Sequence, residues 1–229
     1  MCPKAEQLLG KLKELGYGPD RVVPIAFHVD YFNKPWKDRF SDPAYSSREM
    51  AYNTVLKRND LYFTPMMMVD GRYPMLGSDQ PKAQAALKRV AAERPGASIQ
   101  ASLEGSDPRQ KTLRARVVPP SGREVMVGVA LYEDPVTTEV KSGENEGKTL
   151  IERYAVRKFV WERIKAGQAR SGVAQSLTFK LDAPAEADPS KCGVAVWVQD
   201  WNDGRVYQAD SLPWPRSAET KPSVTTSAR

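Results

Sequence analysis

Few side chains in this sequence could do chemistry, and Cys2 is the first of them. It stands directly before Pro3, at the start of a segment patterned as a helix. A helix start offers unpaired N–H groups and the positive end of the dipole, which favour a thiolate and lower a cysteine pKa. Cys2 therefore reads either as a reactive thiol or as an incidental residue beside Met1. Thr64-Pro65 is the second candidate, because it precedes a strand and an X–Pro bond can be cis. An ordinary trans proline opening a strand suits the same residues. His28 is the only histidine. It titrates near neutrality and could serve a thiol as a base. Equally, alternation puts His28 and Asp30 on one strand face, where a structural hydrogen bond is the simpler use. One histidine without a cysteine cluster does not make a dedicated zinc site, so no metal is expected.

Tyr31, Trp36, Phe40 and Tyr45 crowd one loop, either to line a groove or to fasten the loop to its domain. Cys2, Thr64 and Pro65 are thus the candidate catalytic residues, with His28, Asp30, Tyr31 and Trp36 as candidate substrate-binding residues. Cys192 lies in the apolar run Cys192-Gly193-Val194-Ala195-Val196 and reads as a buried core thiol. Gly143-Glu144-Asn145-Glu146-Gly147 suits a hairpin loop, with calcium binding as the other use of its two carboxylates. No phosphate-cradling glycine loop, nucleophile elbow or paired-carboxylate site is present, and no cofactor is expected.

The elements that position these residues differ between the two halves. Leu8, Leu9, Leu12 and Leu15 share one face of residues 4–15, which predicts an amphipathic helix ended by Gly16 and Gly18. Residues 22–29 form a mostly apolar run fitting a buried strand, with Pro24 near its start or on an edge. Ser46 and Glu49 have the spacing of a capping box and predict a helix to about Lys57. Asp70-Gly71 predicts a hairpin between residues 66–69 and 72–76, and Ser78 or Asp79 caps a helix over 81–93. Beyond Pro95-Gly96 most patterns are strands, over 98–103, 112–118, 124–132, 176–181, 193–198 and 205–209, while 156–165 suits a strand or a helix, with strand preferred. The spacing predicts an antiparallel β-sandwich over 97–215, after a first domain over 1–95. Residues 216–229 carry no apolar pattern and read as a disordered tail.

Composition narrows the class. Hydrophobic residues are 41% and charged residues 27% of 229, a balance that suits a folded chain with a core. Mean hydropathy is −0.54, and no apolar run approaches the roughly 20 residues of a membrane helix. The net charge of +6 is spread along both halves without a dense basic block. Nucleic acid is therefore not the expected partner.

Several segments resemble the secreted, thioredoxin-like family catalogued as domain of unknown function 1223. They are Cys2-Pro3, Ala26-Phe27-His28-Val29-Asp30-Tyr31, Trp36-Lys37-Asp38 and Pro43-Ala44-Tyr45, then Thr64-Pro65, Met68-Val69-Asp70-Gly71 and Gly77-Ser78. Gly143-Glu144-Asn145 and Val156-Arg157 look like the family's strand-rich extension. The resemblance implies an α/β thioredoxin-like domain, with its first strand missing, followed by the sandwich. It also implies that Cys2 matches the second cysteine of a Cys-x-x-Cys-Pro motif, and that Pro65 is cis and faces it. The first cysteine and its strand would lie upstream of a mis-assigned start, or the chain is a truncated copy. With an upstream signal peptide the protein would be secreted or periplasmic; with Met1 as its true start it would be cytoplasmic.

The resemblance brings no established reaction. The expected function is thiol–disulfide chemistry through Cys2 outside the cytoplasm, with thiol-bearing or extended-peptide proteins as partners. The alternative is a non-catalytic module that binds such peptides between Pro65 and the aromatic loop.

Overall fold

The computed structural model describes residues 3–143 and 145–215, and the backbone alone of 224–226. The first elements in chain order are α1 (Pro3–Lys11), α2 (Pro43–Val55), β1 (Met66–Val69), β2 (Tyr73–Leu76) and α3 (Gln80–Ala91). Strands follow: β3 (Ser98–Glu104), β4 (Gln110–Val118), β5 (Val125–Glu133), β6 (Val136–Glu139), β7 (Thr149–Glu152) and β8 (Ala155–Ile164). The last are β9 (Gln175–Asp182), β10 (Cys192–Asp200), β11 (Val206–Pro213) and β12 (Val224–Thr226). The chain forms two compact units, one of Met1–Ala92 with Asp134–Val156, the other of Glu93–Glu133 with Arg157–Arg229.

The α/β thioredoxin-like expectation is overturned. Strands in several antiparallel sheets dominate, and the described residues contain just three short α-helices. The first unit has no central sheet among its described residues, only the two-stranded pairs β1–β2 and β6–β7. Residues 22–29, expected as a buried strand, make isolated bridges at Ala26, to Ala155, and at His28, to Ser41. Pro24 has no N–H to donate, and the ladder does not extend beyond those single bridges.

Local chemistry explains the helices. Asp42 caps α2 by accepting the Ala44 N–H at 2.8 Å, and Pro43 supplies a pre-set first turn. The cap therefore falls at Asp42, four residues before the Ser46 expected; Ser46 and Glu49 are buried inside the helix. Asp79 caps α3 in the same way, through the Lys82 N–H. Asp70 and Gly71 both take positive φ, 57° and 68°, and turn β1 into β2 with Val69 opposite Tyr73. The core of this unit gathers Leu8 of α1, Val69 and Met75 of the hairpin, and Ala83 and Ala86 of α3.

The second unit holds two four-stranded sheets, in the orders β11-β10-β5-β8 and β12-β3-β4-β9. Alternate residues Val127, Val129, Val194 and Val196 of one sheet, and Ile99, Leu113 and Val117 of the other, share a single core. Each such side chain contributes roughly 1.5–3 kcal/mol by leaving water. On the opposite face Gly128 pairs with Trp197, and a Cβ there would lie 2.4 Å from the indole, so only glycine admits the ring. The expected tail lies outside the described residues, save that Val224–Thr226 pairs with β3.

Candidate functional site

His28 is fixed by the backbone on both sides of it. Ala26 donates to Tyr154 O and accepts from Val156 N–H, each at 2.9 Å, and His28 O accepts the Asp42 N–H at 3.3 Å. The imidazole Nδ1 lies 2.7 Å from Asp38 Oδ2, and the ring packs edge-on against Phe40 at 5.3 Å. Asp38 is itself held: its Oδ1 accepts the Phe40 N–H, and its own N–H donates to Asn33, both at 2.9 Å. The His28 side chain is 8% exposed. Burial opposes the imidazolium, but the Asp38 bond and charge outweigh it and raise the His28 pKa above 6.5. Burial likewise opposes the Asp38 carboxylate, and the bond from His28 overcomes that and lowers its pKa.

Two more carboxylates reach this place from distant parts of the chain. Glu152, at the end of β7, is 0% exposed and accepts from Thr138 Oγ1 at 2.9 Å. Burial pushes its pKa to about 7. Glu6 of α1 accepts the Arg153 N–H at 2.7 Å, and burial raises its pKa too. His28 feels the charges of Asp38, Glu152 and Glu6. Among the described residues neither His28 Nε2 nor Glu152 Oε1 has a hydrogen-bond partner. The arrangement can hold and exchange protons near neutral pH.

A second cluster surrounds the Thr64-Pro65 bond, which is cis. The Tyr31 hydroxyl is hydrogen-bonded to Thr64 Oγ1 and donates to Glu49 Oε2 at 2.9 Å. Its ring tilts against Phe32 at 4.8 Å and Tyr62 at 4.7 Å. Desolvation and the Glu49 charge hold the Tyr31 phenol at a pKa of about 12, so it stays protonated. Gly77 donates to Pro65 O at 2.9 Å. A Cβ on Gly77 would meet Ala5 Cβ at 2.9 Å and Pro65 Cβ at 3.1 Å, so this glycine lets the first turn of α1 approach Pro65.

Of the residues expected from sequence, Tyr31 and Thr64 touch each other, and His28 bonds Asp38 rather than Asp30. Asp30 instead accepts from Ser46 Oγ of α2. Trp36 is half-buried in the aromatic loop and joins neither cluster. Phe40 at the end of the loop and Tyr45 in α2 are buried, which favours the fastening role there. Cys2 lies outside the described residues. Cys192 is a buried core thiol, not in a disulfide, and burial pushes its pKa to about 12. No sequence feature marks Glu6 or Glu152, Asp38 stood out only within the family segment Trp36-Lys37-Asp38 and Glu49 only as a capping residue, because the partners of all four are set by the fold. Among the described residues no group of three or more His, Cys, Asp or Glu side chains is disposed to hold a metal.

Fold and clusters define a strand-dominated protein of two units, whose first unit holds a buried histidine–carboxylate pair and a threonine–proline turn. The chain belongs to the family described as protein of unknown function (DUF1223), whose model matches residues 1–199. A structural-genomics crystal structure from Agrobacterium tumefaciens is similar, with TM-score 0.67 and 22% identity over 96% of this chain and 91% of that one. HBP35 of Porphyromonas gingivalis is also similar, with TM-score 0.62 and 15% identity over 99% of this chain and 75% of that one. At these identities the likeness concerns the fold alone. No curated protein matches the chain.

Proposed function

We propose that this protein takes part in thiol–disulfide chemistry outside the cytoplasm through Cys2. The observation that supports the reading is the convergence of Ala5, in the first turn of α1, and Pro65 upon Gly77. In the sequence Cys2 is the residue before α1, whose first turn, at Ala5, approaches Pro65 across Gly77. In the reaction the Cys2 thiolate attacks one sulfur of a partner disulfide. A Cys2–partner bond forms, the partner's S–S bond breaks, and the expelled thiolate takes up a proton. The test is incubation of the full chain with glutathione disulfide, followed by mass spectrometry of the intact protein and its peptides. A glutathione adduct at Cys2, lost in Cys2→Ser, is expected; no adduct at Cys2 after prolonged incubation refutes the reading.

A second reading, a module that binds extended peptides, is favoured by one observation. Phe32 and Tyr62, which flank Tyr31, are 62% and 50% exposed. Large exposed aromatics grouped beside buried polar anchors are a common mark of a contact surface. On that reading Cys2→Ser retains peptide binding and Phe32→Ser loses it, measured by fluorescence titration against an extended-peptide library.

A further inference from the structure

Ionisable residues lie where α1 meets the end of the β6–β7 hairpin. Glu6 of α1 accepts the backbone N–H of Arg153 at 2.7 Å. His28 and Asp38, from the bridge segment and the loop after it, are 2.7 Å apart. Thr138 of β6 donates to Glu152 of β7 at 2.9 Å. The Arg153 guanidinium is engaged elsewhere, by two bonds to Asp134 at 2.6 and 3.0 Å, and the Tyr154 N–H also goes to Asp134. That guanidinium lies against Gly10 of α1, where an added Cβ would be 3.0 Å from it.

The charges of Asp38, Glu152 and Glu6 thus act on one imidazole, and that of Arg153 acts on Glu6. In mild acid the imidazolium answers Asp38 while Glu152 is neutral, so little net charge is buried. In base Glu6, Asp38 and Glu152 are all ionised and His28 is neutral, and buried like charges repel in a medium that screens them poorly. The unpartnered atoms, His28 Nε2 and Glu152 Oε1, are the ones that bear these changes. We infer that the cluster is a pH-sensitive latch, which fastens α1 to the β6–β7 hairpin in mild acid and lets it loosen as the medium becomes alkaline. Burial of Glu152 brings its proton loss to about 7, and the Asp38 bond moves that of His28 above 6.5. The helix has only 9 residues, and an isolated helix of that length is not stable in water, so its order depends on docking.

The test is amide hydrogen exchange on the full chain at pH 6 and pH 8.5, corrected for intrinsic rates. In the wild type, protection of α1 is expected to fall at least about tenfold at the higher pH, while that of the β5 and β10 amides holds. Glu152→Gln, neutral at both values, should keep α1 equally protected. Unchanged α1 protection in the wild type overturns the latch, as does an equal loss in Glu152→Gln. Should that variant not fold, the NMR titration of His28, the only histidine, decides in the wild type. A His28 midpoint above 6.5 with a second inflection from Glu152 is expected. A single step at or below 6.5 overturns the proposal.

Discussion

Tyr31 and Thr64 are joined by a hydrogen bond whose direction is set by a third residue. The Tyr31 hydroxyl has one proton and gives it to Glu49, so Thr64 must be the donor to Tyr31. Through this chain the aromatic loop, α2 and the Thr64-Pro65 turn hold one another.

Tyr31→Phe removes both bonds while keeping the ring. It leaves the Thr64 and Glu49 oxygens short of a partner, and stability should fall by about 1–3 kcal/mol. Tyr62, half-exposed, is the control, and Tyr62→Phe should stay within about 0.5 kcal/mol of the wild type. Denaturant midpoints at constant m-value decide between the two. Equal midpoints for both variants would show that the chain of bonds does not stabilise the fold.

The stability of the first unit should peak in mild acid. His28 has a folded pKa above 6.5, so its contribution is complete below that value and is lost as the pH rises through the folded one. Glu152 is raised from 4.5 to about 7, so its folded form favours the proton, and this contribution too disappears as the pH rises towards 7. Asp38 is lowered from 3.8 and acts in the opposite sense, losing its contribution only in stronger acid. Denaturation followed from pH 4 to pH 9 should show stability declining between about 5 and 8, with a shallower decline in Glu152→Gln. A rise across that interval would contradict the assignments of His28 and Glu152.

Gly77→Ala tests the approach of α1 to Pro65. The new methyl would stand 2.9 Å from Ala5 Cβ and 3.1 Å from Pro65 Cβ, so one element must move. A cost of about 1–3 kcal/mol is expected, with faster hydrogen exchange in α1 than elsewhere in the unit. An unchanged melting temperature would mean that α1 shifts at no cost.

The two thiols should separate sharply in rate. Cys192 is 8% exposed with a pKa near 12, so almost none of it is thiolate at neutral pH. Cys2 should alkylate at least about a hundredfold faster, because its ordinary thiolate fraction alone exceeds that of Cys192 by more. In the 229-residue chain, with Cys192 buried, a mixed disulfide at Cys2 has no second thiol to resolve it, so insulin reduction by that chain should not turn over. Peptide-resolved iodoacetamide kinetics and an insulin turbidity assay measure both, and steady insulin turnover would show that Cys192 or another route regenerates the thiol.

Local patterns were legible in the sequence wherever the controlling interaction spans a few residues. Asp70-Gly71 specifies its hairpin because both residues tolerate positive φ, and the alternating valines of β5 and β10 declare a strand by their period. The buried character of Cys192 follows from its apolar neighbours. Where a short-range signal had a rival, the sequence could not rank them: Asp42-Pro43 took the cap of α2, freeing Ser46 and Glu49 for tertiary bonds to Asp30 and Tyr31. The apolar run 22–29 looked like a sheet strand, yet whether it joins a sheet depends on neighbours supplied by residues 41 and 155. The proton-holding cluster was the least legible part. Glu6, His28, Asp38 and Glu152 come from a helix, a bridge, a loop and a strand end, and each looks in isolation like an ordinary polar residue. Only folding removes them from water together, and it is that shared burial, which no sequence spacing encodes, that couples their charges and gives them their chemistry.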